Sequence, residues 1–237
     1  MKRIPFEDLS ICPLVVDAVY EGGNRGNAAD DPISKLLEGT GNQGGFRLAG
    51  KFGFWKWVVL YTSGEDSDWP DNLDTLSGQF TYFGDNKTAG HELHDTSRGG
   101  NKVLRELFGR VHSGGLPFDV PPTFIFRKYP TDVSNRSVQF LGLAVPGANG
   151  KTETEDLTAV WKSNKGERFQ NYRATFTVLD ASEIRREWID SLRKGNSDIR
   201  FAPRAWIDWR TNGVYKPLIA TPAKDIRTIG QQSPRRP

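Results

Sequence analysis

Cysteine is almost absent from this chain, where Cys12 stands alone. A lone thiol excludes an internal disulfide and a cysteine-built zinc cage, and three histidines leave little for any other metal centre. No stretch approaches the roughly 20 apolar residues that span a bilayer. The opening residues, MKRIPFEDLSICPLVV, lack a long apolar core followed by a small-residue cleavage site, so a cytoplasmic protein with no membrane partner is expected. Internal repeats are also lacking.

What is there describes a globular fold: 36% apolar residues, with seven Trp, 14 Phe and six Tyr, against 26% charged residues. A length of 237 residues suits one large β-rich domain with short extensions. The net charge of +3 is unevenly spread: residues 1–126 hold 12 Lys and Arg against 17 Asp and Glu, and residues 127–237 hold 20 against 12. The basic half is where a polyanion would dock, because Lys and Arg neutralising phosphates dominate nucleic-acid affinity.

Seven runs have strand composition and are separated by Gly, Pro and Asn turns: LVVDAVY (14–20), WKWVVLYT (55–62), GQFTYF (78–83), TFIFRKY (123–129), SVQFLGLAVP (137–146), DLTAVWKS (156–163) and FQNYRATFTVLD (169–180). The second and third are expected to form a hairpin across the acidic loop GEDSDWPDNLD. Helices are expected at DPISKLLEG (31–39), with Asp at the cap and Pro in the first turn, and at RGGNKVLRELFGRV (98–111). In the latter, Val103, Leu104, Leu107, Phe108 and Val111 fall at helical spacing. ASEIRREWIDSLRKGN (181–196) and PRAWIDWRTNG (203–213) complete the helices, while GTGNQGGFR (39–47) reads as irregular loop. The fold class is therefore α+β and β-rich, a mostly antiparallel sheet with a few flanking helices. Residues 1–13 read as an N-terminal extension, 14–215 as the domain, and 216–237 as a C-terminal tail or linker.

The stretch WVVLYTSGEDSDWPDNLDTLSGQFTYFGDN (57–86), followed by a helix opening RGGNKVL, resembles the core of the SRA (SET- and RING-associated) domains. YEGGNRGNAADDPISKLL, GNQGGFR, FLGLAVPG and RFQNYRATFTVLD, in that order, resemble the SRA-like N-terminal domain of modification-dependent restriction endonucleases of the AspBHI and MspJI kind, over most of residues 14–210. The resemblance implies a PUA-like, twisted, crescent-shaped β-barrel that binds double-stranded DNA and flips a 5-methylcytosine into a cage. Such a cage needs aromatic rings above and below the base and a carboxylate to accept from the cytosine amino group.

On this resemblance Tyr82, in FTYxG, is the stacking tyrosine, and Asp71 is the carboxylate that reads the base edge, with Asp66 and Asp68 as alternatives. Trp57 is the first choice for the opposite face and Trp69 the second, although a Trp within an apolar strand more commonly belongs to a core. The loops GGNRGN and GNQGG offer Asn24, Arg25, Asn42 and Gln43 to fill the gap left by a flipped base. Arg98, Lys102, Lys162, Lys165, Arg168 and Arg173 are the candidate phosphate contacts.

No nuclease centre is legible. No Glu is followed two places later by Lys, as a PD-(D/E)xK site asks, and the one nearby Asp-x-Lys, DNK at 85–87, lies in the turn beside the proposed cage. HELHD (91–95) fails the HExxH spacing, and His112 is isolated. The chain is therefore expected to supply no catalytic or metal-binding residue and to need no cofactor. A parent nuclease domain in cis, using Mg2+ and able to form a homo-oligomer, would do the cutting. Two alternatives stay open: a complete small metal-dependent nuclease, and the same fold reading another modification such as 5-hydroxymethylcytosine.

Overall fold

A computed structural model describes residues 1–164, 166–196 and 198–220. In chain order its strands are β1 (Arg3–Ile4), β2 (Leu14–Val15), β3 (Val19–Tyr20), β4 (Phe46–Lys51), β5 (Phe54–Thr62), β6 (Asn72–Asp74), β7 (Gln79–Phe83), β8 (Thr123–Lys128), β9 (Val138–Pro146), β10 (Leu157–Asn164), β11 (Glu167–Val178) and β12 (Glu183–Ile184). The α-helices are α1 (Pro32–Leu36), α2 (Gly100–His112), α3 (Glu153–Asp156), α4 (Arg186–Arg193) and α5 (Arg204–Asn212). Few helices around one large mixed sheet is the architecture expected.

Ten strands share that sheet, whose main path runs β4-β5-β8-β9-β11-β7-β6, with β10 on β11 and β3 joining β1 to β9. Among the described residues only β5–β8 and β1–β3 are parallel. The hydrogen-bonded path does not close among the described residues. β4, at one end of the path, nevertheless meets β7, next to the other end, through side chains: the rings of Phe46 and Tyr82 lie 6.2 Å apart. The candidate site sits at this seam.

β5 and β7 are not the hairpin expected. Both edges of β5 are taken, by β4 antiparallel and β8 parallel, while the acidic loop contributes its own short strand, β6, which folds back on β7. β4 was hidden because its glycine-rich approach looks irregular; it is defined by pairing with β5, through a bulge at Ala49 and Gly50. LVVDAVY forms two short strands, since Asp17 takes a left-handed φ of 64° between them.

Residues 1–13 are no loose extension: β1 pairs with β3, and Ile4 and Leu9 are buried in the core. Residues 216–220 also belong to the fold, since Leu218 N–H donates to Val178 O at 2.8 Å and Ala220 N–H to Thr75 O at 2.7 Å. The remainder of the expected tail, 221–237, lies outside the described residues.

α2 packs its apolar face on the sheet, where Phe108 meets Phe176 edge-on at 5.3 Å. α4 and α5 cover another part with Trp188, Trp206 and Trp209. α5 keeps its expected punctuation, with Pro203 before it and Gly213 in the left-handed conformation after it. No helix among the described residues is long and apolar enough to cross a membrane.

Candidate modified-base site

The GDN turn after β7 is held by an amide network rather than by its own loop. The Asp85 carboxylate accepts from the Gly100 and Asn101 N–H groups at 2.8 and 2.9 Å, and so caps α2 from outside the helix. Asn101 Oδ1 accepts from Asp85 N–H at 3.1 Å, and its Nδ2 donates to Asn171 Oδ1 at 3.1 Å. Asn171 Nδ2 in turn donates to Gly84 O at 3.0 Å. Gly84 has no room for a side chain, because a Cβ there would stand 1.8 Å from Asn101 Oδ1. Gly84→Ala therefore forces the network apart, and about 1–3 kcal/mol of lost stability is expected for such overpacking. A thermal melt should register roughly 2–12 °C of lowering for a domain of this size.

Beside this turn lies a cavity of about 390 Å³, within the range of roughly 300–1,000 Å³ usual for small-ligand sites. Gly44, Gly45 and Phe46 form one wall, Tyr61, Thr62 and Ser63 the next, and Asp66, Asp71, Tyr82, Gly84 and Asp85 the rest, with Lys87, Ser97 and Arg98 at the margin. Tyr82 is 5% exposed and stacks on Phe80 at 6.2 Å, and burial pushes its phenol well above the ordinary value. Its hydroxyl lies so near Gly45 that a Cβ on that residue would be 3.2 Å away.

Three carboxylates line this cavity, Asp66, Asp71 and Asp85, and Asp85 is taken up by the cap of α2. Burial raises the pKa of Asp71, against the Phe83 N–H that donates to its Oδ1 at 2.8 Å and the Thr62 hydroxyl that also donates to it. Of the alternatives, Asp66 reaches the cavity but is already engaged: it pairs with Lys87 at 2.7 Å and accepts from the N–H groups of Asp68 and Trp69. Burial opposes ionisation of Asp66, yet the Lys87 pairing and those donors leave its pKa lowered. Asp68 is exposed, pairs with Lys162 at 2.7 Å and does not line the cavity.

Neither tryptophan lines this cavity. Trp57 is fully buried in the core, where its Nε1 donates to Thr40 Oγ1 at 2.7 Å. Trp69 is buried beneath the acidic loop, against Phe83 at 5.4 Å and Phe169 at 6.0 Å, with the Lys162 ammonium 4.7 Å over its ring. It fastens that loop to the sheet. The aromatic rings that share the cavity with Tyr82 are Phe46 and Tyr61, neither singled out from sequence. The legible signal for Tyr61 was an aromatic residue ending an apolar strand just before the acidic loop; Phe46 lay within the stretch read as loop.

The GNQGG loop reaches the cavity and the GGNRGN loop does not. Arg98 Nη1 donates to Gln43 O at 2.6 Å, and Arg47 donates to Gly44 O at 2.8 Å and Gly41 O at 3.2 Å, so the first loop is pinned at the rim with Asn42 and Gln43 exposed. Asn24 and Arg25 are exposed beside a separate cavity of about 520 Å³ that also includes Arg3, Glu21 and Asp30. One contact joins the two loop regions, Asn42 Nδ2 to Ala28 O at 3.3 Å.

Of the basic residues, Arg98 lies at the rim, Lys102 and Arg173 are exposed, and Arg168 lies over the Trp161 ring at 4.8 Å. Lys162 is bound to Asp68, and Lys165 lies outside the described residues. His94 pairs with Tyr172 Oη at 2.9 Å, and burial followed by the charges of Arg105 and Lys102 lowers its pKa. His112 is not isolated; it pairs with the buried Asp156 at 3.1 Å. Among the described residues no three His, Cys, Asp or Glu side chains are grouped to hold a metal ion.

Comparison with known proteins places this fold. The DNA recognition domain of the cytosine modification-dependent restriction endonuclease LpnPI is 51% identical, with a TM-score of 0.88 over 94% of this chain and 98% of that one. The DNA modification-dependent restriction endonuclease AspBHI is 40% identical, with a TM-score of 0.86 over 93% of this chain and 100% of that one. The MspJI restriction endonuclease, in complex with a 27-mer oligonucleotide, shares the fold at 20% identity and a TM-score of 0.59, over 91% of this chain and 56% of that one. No match is found among curated proteins. The family described as restriction endonuclease AspBHI N-terminal matches residues 14–221, and the chain belongs to that family.

Proposed function

We propose that this chain is a DNA recognition domain that draws a modified cytosine out of the duplex and seats it in the Asp71–Tyr82 cavity. The observation that carries the reading is the pairing of a half-buried, pre-oriented carboxylate with an aromatic wall in a cavity of about 390 Å³. A flipped base stacked on Tyr82 gains about 1–3 kcal/mol, which alone barely offsets an unstacking cost of a few kcal/mol. The Asp71 carboxylate, accepting from the exocyclic amino group, supplies the remainder together with phosphate contacts. Arg98 at the rim, with Lys102 and Arg173 beyond it, serves the phosphates. Asn42 and Gln43 stand at the rim to fill the vacated stack, ahead of Asn24 and Arg25, which line the other cavity.

This work is binding, and it needs no cofactor. In the parent protein a nuclease domain in cis, working with Mg2+ in the cytoplasm and as a homo-oligomer, would cut the DNA that this domain selects. The similarity to a recognition domain whose parent enzyme depends on cytosine modification supports the ligand class. The Thr62, Ser63 and Ser97 hydroxyls in the lining make 5-hydroxymethylcytosine a second ligand to compare.

Titration of otherwise identical duplexes carrying cytosine, 5-methylcytosine or 5-hydroxymethylcytosine, at one fixed salt concentration, tests the reading. A modified duplex is expected to bind more tightly, and Tyr82→Ala to weaken that binding roughly 5- to 100-fold, the value of one stacking contact. Equal affinity for all three duplexes would overturn it. Specific cleavage of modified plasmid by this chain with Mg2+ would favour a complete nuclease instead.

A further inference from the structure

β10 and β11 extend as a two-stranded hairpin beyond the rest of the sheet. In their register Trp161 opposes Gln170, Ala159 opposes Tyr172, and Ser163 opposes Arg168. β7 continues the pattern, with Tyr82 opposite Ala174. Directly opposed residues share a face and alternate residues along a strand share a face. Tyr82, Ala174, Tyr172, Gln170, Trp161 and Arg168 therefore lie on one side of the sheet.

Burial along this side changes from one end to the other. Ala174 and Tyr172 are buried, the latter paired with His94, and α2 packs over this part of β10 and β11. Gln170 is half-buried, Arg168 is exposed, and Trp161 is 59% exposed. This large ring left open to water carries the Arg168 guanidinium over it, 4.8 Å from its centroid. Among the described residues Arg168 makes no ion pair, and neither do Lys102 and Arg105 of α2, whose charges reach His94 on the same side. Glu153 is the carboxylate whose charge reaches Tyr172 there, and Glu167 belongs to the opposite side of the hairpin.

Resting on the function proposed above, we infer that this open face of the β10–β11 hairpin is a second DNA-contact surface, where Trp161 packs against the duplex flanking the modified base and Arg168 meets its phosphates. An exposed ring with an unpaired cation over it suits a sugar-phosphate backbone with base edges beside it, not an apolar partner. With the hairpin laid along the duplex axis, the strand spacing sets where this contact falls. From Ala174, opposite Tyr82, to Gln170, opposite Trp161, is four residues of β11, or about 13 Å at 3.3 Å per residue. At about 3.4 Å per base step, the hairpin meets the duplex about four base pairs from the base held at Tyr82.

The test compares hairpin-closed methylated duplexes with about three or about ten base pairs beyond the modified base. Trp161→Ala should weaken binding of the long-flank duplex roughly 5- to 100-fold, as expected for one lost aromatic contact, and leave the short-flank duplex unchanged. Trp161→Phe should restore part of the loss. Arg168→Gln should reduce the salt slope of log affinity by about one on the long duplex only. Methylated and unmethylated long duplexes should weaken by the same factor in both variants. Unchanged long-flank affinity in a Trp161→Ala protein with an unchanged thermal midpoint would overturn the inference. A changed oligomeric state without a changed DNA affinity would also overturn it, assigning the face to a second copy of the chain. Failure of the parent reading looks different, since wild-type protein would then bind all duplexes of one length equally.

Discussion

Asp71→Asn should abolish most of the preference for modified over unmodified duplex while leaving the domain folded. Asn keeps an oxygen to accept the Phe83 N–H now bonded to Asp71 at 2.8 Å, so the acidic loop stays docked. Its other terminus becomes an amide donor, facing the donating amino group of the base. A hydrogen bond to a charged group contributes about 1.5–3 kcal/mol, so roughly 10- to 100-fold weaker binding of the modified duplex is expected. Residual binding should be weak and salt-sensitive, because the phosphate contacts remain.

The same carboxylate sets a pH dependence. Burial raises the Asp71 pKa above the ordinary carboxylate value, despite the Phe83 and Thr62 donors. A raised folded value means that the folded domain holds this proton more tightly than the unfolded chain. The group thus favours the fold at low pH, and that contribution is lost as pH rises through the folded pKa. Binding runs the other way, because only the ionised form accepts from the base. Acidification should therefore erode the modified-duplex preference at a pH above that where an exposed Asp titrates, about 3.9. Asp71→Asn should show a low, flat preference over the same range.

Arg47→Ala should give the largest loss of stability among the variants considered. The Arg47 and Asp31 side chains are 5% and 8% exposed and meet through Nη1 at 2.9 Å from both carboxylate oxygens. Removing one member of a buried pair strands the other and costs about 3–5 kcal/mol. Asp31 also caps α1 by accepting the Ser34 N–H at 2.8 Å, so the damage should include that helix. The Arg47 donors to Gly41 and Gly44 disappear too, which releases the cavity rim. Chemical denaturation should register the stability loss, and modified-duplex affinity should fall even at temperatures where the variant remains folded.

Local chemistry made part of this site readable. FTYFG places a buried ring beside a turn whose glycine is sterically required, and both features belong to one short stretch. Asp71 was readable by the resemblance of its loop; its preference over Asp66 and Asp68 emerges only from Lys87 and Lys162, which neutralise the other two from distant positions. The failure at Trp57 has a physical cause. β5 alternates in burial only over its first residues, then is buried on both faces from Trp57 through Leu60, so periodicity cannot say which ring faces the cavity. Phe46 was hidden by its glycine-rich approach, and Arg47 by a partner sixteen residues away in sequence. Strand composition locates most of the sheet, but pairing order depends on which edges are free, and composition alone does not show that both edges of β5 are taken by β4 and β8.

The central claim is that the Asp71–Tyr82 cavity receives the modified base, and a crystal structure of this chain with a duplex carrying one 5-methylcytosine tests it most directly. The account predicts that base outside the helical stack, its ring against Tyr82 and its amino nitrogen within hydrogen-bond distance of an Asp71 carboxylate oxygen, about 2.7–3.2 Å. A 5-methylcytosine still paired in the duplex, or lodged elsewhere with this cavity open to solvent, would contradict it.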